Sequence, residues 1–301
     1  MKLIEWIEHG AHLLDTAGVS FGHGTENAFD ESVWLTFWQL GLALETDLSE
    51  DAVSGRVLTQ QEHGQLQALF NRRIETRKPA AYLTQEAWLQ GVPFYVDERV
   101  IIPRSLIAEL LVNGTIDPWL QESTHKVLDL CTGNGSLAIL AAMAFPDVEV
   151  CASDLSLEAL DVARINLEKH QLEARVRLVH SDGLLANELA AQGPFDLMVC
   201  NPPYVNARSM AALPAEYRAE PAMALDGNQR GGTDGMDFVR ALLAQAPEHL
   251  TEIGILVLEI GHERAHFETA FPALEGVWLP TSAGADQVVV LTFDALKKNS
   301  L

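Results

Sequence analysis

The stretch Val127-Leu-Asp-Leu-Cys-Thr-Gly-Asn-Gly-Ser136 predicts a buried strand that ends in a glycine turn and leads into a helix. Its first half is almost entirely apolar, as is usual for a strand of a parallel sheet that is covered on both faces. Gly133 and Gly135 permit a tight turn and a close approach of the backbone to a ligand. This order of strand, glycine turn and helix is typical of the first unit of a Rossmann-like sheet.

Strand and helix patterns alternate after this unit. Apolar strand patterns lie at residues 148–154, 174–182, 195–203, 254–261 and 287–293, and helical patterns lie at 136–144, 156–170, 184–191 and 235–250. Strands that alternate with helices predict a doubly wound, mostly parallel sheet. Pro280 and Gly284 leave no room for a crossover helix before the last strand, so we expect an antiparallel hairpin at the C-terminal edge of the sheet.

The first hundred residues have a different pattern. Amphipathic helices are predicted at residues 2–17, 29–46 and 59–76. Residues 86–103 contain runs of strand-forming residues with the polar break Asp97-Glu98-Arg99 between two of them, which is typical of a hairpin. We therefore predict a small helical N-terminal domain for substrate recognition at 1–84, a β-hairpin linker at 85–105 and an α/β domain at 106–301.

The charge balance disfavours nucleic acid as the main partner. The 301 residues include 20 basic and 42 acidic side chains, so the formal net charge is −22. Proteins that bind nucleic acid usually neutralise phosphates with Lys and Arg. No apolar run is long enough to span a bilayer, and the N-terminus carries Glu5 and Glu8, unlike a signal peptide. We expect a cytoplasmic protein without a membrane partner; its oligomeric state stays open.

Two patterns bear on metal binding. Cys131, Cys151 and Cys200 are far apart and form no CxxC pair, so neither a disulfide framework nor a zinc knuckle is indicated. The segment 262–266 fits HExxH, in which two His ligands on one helical face hold zinc. Here the segment directly follows an apolar strand and begins a charged stretch. We therefore predict no metal site.

Acidic residues around the glycine turn distinguish between two kinds of nucleoside cofactor. The pattern Gly133-x-Gly135-x-x-Ala138 nominally satisfies the dinucleotide fingerprint. However, Asp129 would repel a pyrophosphate, whereas it would attract the ammonium and sulfonium charges of S-adenosylmethionine (SAM). Asp154, at the end of the next strand, is placed to accept hydrogen bonds from ribose hydroxyls. Asp182 and Gly183 follow the third strand, at about the place where such folds contact the adenine amino group.

A second motif, Asn201-Pro202-Pro203-Tyr204, follows the apolar strand FDLMVC. The two prolines fix the backbone and remove two N–H donors. The Asn201 side chain and the Pro202 carbonyl can accept hydrogen bonds from a planar NH₂ group, and Tyr204 can stack on it. Such an arrangement orients a weakly nucleophilic nitrogen for in-line attack on a methyl group. Because ligands bind at the carboxyl ends of parallel strands, we expect this motif and the glycine turn to share one site.

These residues and several other stretches resemble the protein-glutamine N5-methyltransferases, class I SAM enzymes with a small helical N-terminal domain. The similarity covers almost the whole chain and is greatest to the branch that modifies the third large-subunit ribosomal protein, L-three. It is carried by residues 72–84, 94–105, 213–221, 224–225 and 232–235. The branch that modifies peptide-chain release factors typically has glycine in place of Cys131 and often an aromatic residue in place of Gly183.

The resemblance implies a Rossmann-like class I SAM methyltransferase fold and methylation of a glutamine in free, basic ribosomal protein L-three. Asn201 and Pro202 would hold the acceptor amide, with Pro203 and Tyr204 packed beside it. Asn201 and the following residues would surround SAM, with S-adenosylhomocysteine as the product: Asp129, Cys131, Thr132, Gly133, Asn134, Gly135, Asp154, Asp182 and Gly183. The alternatives are a release-factor glutamine, an adenine N6 of DNA or RNA, and NAD-dependent oxidation, which Asp129 disfavours.

Overall fold

The computed structural model of the protein describes residues 1–299, and the chain divides into two compact units. The first unit comprises Met1–Ala87 together with Pro214–Ala219. The second comprises Trp88–Leu213 and the residues from Glu220 onward. None of the helices in the described part of the chain is long and apolar enough to cross a membrane.

The first unit is helical. Its helices are α1 (Leu3–Ala17), α2 (Ala28–Leu40), α3 (Asp51–Ser54), α4 (Gln60–Thr76) and α5 (Ala80–Thr84). The buried side chains Trp6, Leu35 and Phe70 bring α1, α2 and α4 together. The helix predicted at 29–46 ends at Leu40, because Gly41 adopts a left-handed conformation with φ of 65° and caps it.

A buried ion-pair network explains why residues 214–219 belong to this unit, although chain order alone places them in the C-terminal domain. The Arg73 side chain is fully buried, and its guanidinium lies 2.8 Å from Glu31 and 3.3 Å from Glu216. The Arg77 Nε lies 2.8 Å from the same oxygen of Glu216. Because an unpaired buried carboxylate is costly, these contacts tie the segment to α2 and α4.

Two sheets follow. The smaller contains β1 (Glu86–Leu89) and β2 (Val92–Tyr95). The larger contains β3 (Lys126–Leu130), β4 (Glu149–Asp154), β5 (Val176–His180), β6 (Phe195–Cys200), β7 (Leu250–Glu259), β8 (Val277–Thr281) and β9 (Gly284–Thr292). Their order is β5-β4-β3-β6-β7-β9-β8. The first five pair in parallel, whereas β9 is antiparallel to both β7 and β8. The prediction of a mostly parallel sheet with an antiparallel C-terminal hairpin is confirmed.

Helices cover both faces of the larger sheet. The helices of this unit are α6 (Ile107–Val112), α7 (Ser136–Ala144), α8 (Leu157–His170), α9 (Asn187–Ala190), α10 (Ala207–Ala212), α11 (Ala222–Leu225), α12 (Asp237–His249), α13 (Arg264–Ala270) and α14 (Phe293–Asn299), of which α10 buries no side chain. One core contains Val127, Leu197 and Val257, and the other contains Leu128, Met198 and Leu256. Because successive strand residues point to opposite faces, each central strand contributes to both cores.

Three boundaries differ from the sequence patterns. The hairpin turns at Gln90-Gly91, and Val100–Ile102 forms no strand. The strand predicted at 195–203 ends at Cys200, because Pro202 and Pro203 cannot donate ladder hydrogen bonds. The helix predicted at 184–191 is reduced to Asn187–Ala190. The carboxyl ends of β3 and β6 are adjacent, with Leu130 beside Cys200, so the glycine turn and the NPPY segment meet at one edge of the sheet.

Candidate active site

The turn after β3 is built from residues with left-handed backbone conformations. Cys131, Gly133 and Gly135 have φ values of 62°, 56° and 82°. A side chain at Gly135 would place its Cβ 3.2 Å from the Cβ of Ala163, so glycine permits the close packing of α7 against α8. A Cβ at Gly133 would have its nearest neighbour 3.7 Å away, on Ile101, so the turn leaves room above its backbone.

Asp129 supports this turn from inside the protein. Its Oδ2 accepts hydrogen bonds from the Thr132 hydroxyl at 2.5 Å and from the Ala138 N–H at 3.0 Å. Its Oδ1 is buried and has no hydrogen-bond partner among residues 1–299. Burial raises the pKa of the Asp129 carboxyl to about 7. Because Oδ2 holds the turn and Oδ1 has no partner, the Asp129 side chain can still accept one further hydrogen bond.

Two more buried polar atoms near the turn lack partners within the described chain. They are the Asn134 Nδ2 and the Ser153 Oγ. Buried polar groups are normally paired with protein, water or ligand. Together with the Asp129 Oδ1, they mark this turn as a place where a polar ligand or bound water fits.

Asp154 connects the end of β4 to the turn. Its Oδ2 accepts the Gly133 N–H at 2.9 Å, and its Oδ1 accepts the Ser156 N–H at 2.9 Å. Burial raises the pKa of Asp154. Each carboxylate oxygen has a second lone pair, so these bonds leave Asp154 able to accept hydroxyl groups.

Asp182 and Gly183 lie farther along the sheet edge, after β5. The Asp182 carboxylate is exposed and lies 3.8 Å from the Arg230 guanidinium. Gly183 has a φ of 56°. Both residues line a surface cavity together with Leu130, the last residue of β3, and two residues of α12, Phe238 and Leu242.

The NPPY segment begins where β6 ends. The Asn201 side chain is half-buried and makes no hydrogen bond within residues 1–299, whereas Pro202 and Pro203 are buried. The Asn201 amide is therefore held near the turn with its acceptor and donors available. Its neighbour Cys200 is buried and hydrogen-bonds the Cys131 thiol, a contact that raises the pKa of Cys131 together with burial.

A buried acid that the motif analysis missed lies against Tyr204. Glu259, at the end of β7, is 4% exposed and accepts hydrogen bonds from the Ser105 hydroxyl at 2.5 Å and the Leu106 N–H at 2.9 Å. Its other oxygen lies 3.5 Å from the Tyr204 hydroxyl. Burial raises the pKa values of both Glu259 and Tyr204. Gly261 is required here, since its Cβ would come within 2.7 Å of the Tyr204 ring.

In the HExxH segment, Glu263 and His266 make contacts within the protein. Glu263 is buried and accepts hydrogen bonds from the Asn206 side chain at 2.6 Å and from the Asn206 N–H at 3.3 Å. The Nδ1 of His266 lies 2.5 Å from the second Glu263 oxygen, whereas His262 is exposed. No group of three potential metal-ligating side chains occurs among residues 1–299.

A recognisable signal in the sequence accompanies the missed residues. Glu259 interrupts the otherwise apolar strand GILVLEIG, and an acid in a buried strand indicates a specific polar partner. Glu220 is likewise buried and accepts two hydrogen bonds from Arg104, at 2.7 and 2.8 Å. The sequence alone does not identify the partners of these two acids, because Ser105 and Arg104 each lie more than 100 residues away from them in the chain.

Comparisons with known proteins identify the family and the fold. A family model described as "Methyltransferase small domain" matches residues 108–217. A ribosomal protein uL3 glutamine methyltransferase of Bordetella pertussis is 49% identical over 98% of this chain and 96% of its own length. One of Neisseria gonorrhoeae is 46% identical over 93% and 90%. A solved structure of the hMettl16 catalytic domain with an RNA hairpin has a TM-score of 0.52 at 14% identity, covers 88% of this chain and 90% of its own, and shows a common fold.

Proposed function

Because the chain belongs to the family of ribosomal protein uL3 glutamine methyltransferases, we propose that it methylates the side-chain amide nitrogen of a glutamine in uL3, with SAM as the methyl donor. The observation that carries this proposal is the register of β3 with β6. It pairs Leu130 with Cys200, so the glycine turn and the NPPY segment begin at neighbouring strand ends, which supports a donor site and an acceptor site that adjoin.

The hydrogen-bond acceptors at the turn support SAM as its ligand. The free Oδ1 of Asp129 suits a cationic group, and the spare lone pairs of Asp154 suit the ribose hydroxyls. Gly133 has no side chain to obstruct the ligand. When bound, SAM supplies a methyl group activated by its sulfonium. The chain positions that group and needs no residue to activate it.

The NPPY segment deals with the poor nucleophilicity of an amide. The Asn201 side-chain oxygen and the Pro202 carbonyl hold the two N–H groups of the acceptor glutamine. They stabilise the positive charge that develops on its nitrogen as the new C–N bond forms and the methyl–sulfur bond breaks. The nitrogen then loses a proton to solvent, and S-adenosylhomocysteine is released. No strong base is needed, since the methylated nitrogen is acidic until that proton leaves.

The charge of the chain fits a basic substrate that is not yet assembled with RNA. A net charge of −22 attracts a free basic protein and is repelled by ribosomal RNA. We assign substrate recognition to the helical unit, whose residues 214–219 follow the NPPY segment in the chain. The reaction would take place in the cytoplasm, before or during assembly of the ribosome.

The decisive experiment measures transfer of a labelled methyl group from SAM to three purified acceptors: uL3, a peptide-chain release factor and duplex DNA. Label in uL3 alone, lost when its target glutamine is changed to alanine, supports the proposal. Preferential labelling of the release factor or of DNA would overturn the assigned acceptor. Binding of S-adenosylhomocysteine, tested separately by calorimetry, shows whether the cofactor assignment holds when an acceptor is not methylated.

A further inference from the structure

An aromatic side chain of α12 lies against the glycine that follows β5. Gly183 has no side chain and a φ of 56°. A Cβ at this position would lie 3.7 Å from the Cε2 of Phe238, which is ordinary van der Waals contact. The edge of the Phe238 ring therefore lies beside the position that a side chain at 183 would occupy, although the two residues are 55 positions apart in the chain.

Phe238 also lines a surface cavity. It is half-buried, packs on the core beneath α12, and lines the surface cavity that contains Asp182, Gly183 and Leu130. Leu130 immediately precedes the cofactor turn, so the cavity adjoins that turn. An aromatic side chain that packs on a core and also lines a cavity provides a platform for a flat ligand.

The cavity pairs this flat apolar wall with a hydrogen-bond acceptor. The Asp182 carboxylate lies at its rim, and its neighbour Arg230 is 3.8 Å away with more than half of its side chain exposed. An ion pair so exposed is weak, and it leaves carboxylate lone pairs available. An apolar face beside an acceptor fits a planar heterocycle that carries an amino group, as adenine does.

We infer that Phe238 forms the wall of the adenine subsite and stacks on the base of SAM, in the space that the missing side chain of Gly183 leaves. This inference rests on the proposed function. The residue binds and positions the cofactor and does not touch the transferred methyl group. It thereby adds α12 to the elements that hold the cofactor.

The test compares Phe238→Ala, Phe238→Leu and Phe238→Tyr by titration calorimetry with S-adenosylhomocysteine. Stacking of a base on an aromatic ring contributes about 1–3 kcal/mol, so loss of the ring weakens binding about 5-fold to 150-fold in Phe238→Ala. Phe238→Tyr retains the ring and binds within about twofold of the unmodified protein. Phe238→Leu retains most of the volume but weakens binding by severalfold, because it lacks a flat face.

Two controls separate stacking from packing. Phe271→Ala removes another half-buried phenyl that packs on the same core but does not line the cavity, so it lowers the melting temperature without changing affinity. Adenosine has the base without the amino acid. Phe238→Ala should therefore weaken the binding of adenosine by the same factor as the binding of S-adenosylhomocysteine. In methyl transfer, Phe238→Ala should raise the KM for SAM and leave the KM for uL3 unchanged.

Equal affinity of Phe238→Ala and unmodified protein for S-adenosylhomocysteine would overturn the inference, even with a lowered melting temperature. So would equal weakening by Phe238→Tyr and Phe238→Ala. Absence of S-adenosylhomocysteine binding in the unmodified protein would instead refute the proposed cofactor, and the two failures are therefore distinguishable.

Discussion

The carboxylate of Glu259 accepts a 2.5 Å hydrogen bond from the hydroxyl of Ser105, a residue 154 positions earlier in the chain. The same carboxylate lies 3.5 Å from the Tyr204 hydroxyl through its other oxygen. Glu259 thus joins the segment before α6 to the NPPY segment. Its strong contacts are those to Ser105 and Leu106, because a separation of 3.5 Å is at the limit of a hydrogen bond.

Because the Tyr204 contact is the longest of the three, we expect Tyr204→Phe to keep its activity within about threefold of the unmodified protein. The ring remains, and only a long contact is lost. Glu259→Ala should lower the free energy of unfolding by about 1–3 kcal/mol, since it leaves the buried Ser105 hydroxyl and the partly buried Leu106 N–H without this acceptor. Denaturant titration and steady-state methyl transfer measure the two effects. A larger activity loss in Tyr204→Phe than in Tyr204→Ala would contradict this role of the ring.

Replacement of Asn201 should separate chemistry from cofactor binding. The Asn201 side chain has no internal hydrogen bond within the described chain, so Asn201→Ala leaves no buried group unpaired and should fold normally. Loss of an oriented group that stabilises developing charge reduces turnover by about 100-fold or more. The affinity for S-adenosylhomocysteine should change by less than about threefold. Asn187→Ala, at an exposed position, is the matched control. Full turnover in Asn201→Ala would refute its role.

Local patterns and long-range contacts differ in how far sequence can predict them. The glycine turn and the NPPY segment were predictable, because backbone freedom at Gly133 and rigidity at Pro202 and Pro203 are properties of neighbouring residues. The parallel pairing of most strands was predictable from their alternation with helices. Glu259 and Phe238 were not identified, because their partners Ser105 and Gly183 approach only in the folded sheet. Val100–Ile102 has strand-forming residues but no partner strand, and propensity alone cannot supply one.

The raised pKa of Asp129 predicts how stability depends on pH. Its carboxyl titrates at about 7 in the folded chain, above its value of about 3.9 when unfolded. The unfolded state therefore releases this proton first, and the contribution of Asp129 to stability falls as pH rises from about 4 to about 7. Asp129→Asn does not titrate. Its stability relative to the unmodified protein should increase across this window and then level off. Denaturant titrations at several pH values test this, and a difference independent of pH would contradict it.

The buried network in the helical unit predicts a large effect for one arginine. Arg73→Met removes the ion-pair partner of buried Glu31 and one of the two arginines that contact buried Glu216, which keeps Arg77, so we expect a loss of about 3–5 kcal/mol in stability. Arg56→Met is the matched control, because Arg56 is 37% exposed and pairs with Glu62 at the surface. Its loss should be below about 1 kcal/mol. Combining Arg73→Met with Glu216→Gln should cost less than the sum of the single changes, because either single change already removes the ion pair between Arg73 and Glu216.

The proposed attraction between an acidic enzyme and a basic substrate predicts a specific dependence on salt. Raising the salt concentration from about 50 mM to about 300 mM shortens the screening length, and we expect the KM for uL3 to rise about tenfold. The affinity for S-adenosylhomocysteine should change little, because that ligand carries no net charge and contacts a few fixed groups. The affinity for S-adenosylhomocysteine, measured on the same protein, therefore serves as the control. If the KM for uL3 does not change with salt, the charge of −22 does not recruit the substrate, and recognition depends on short-range contacts alone.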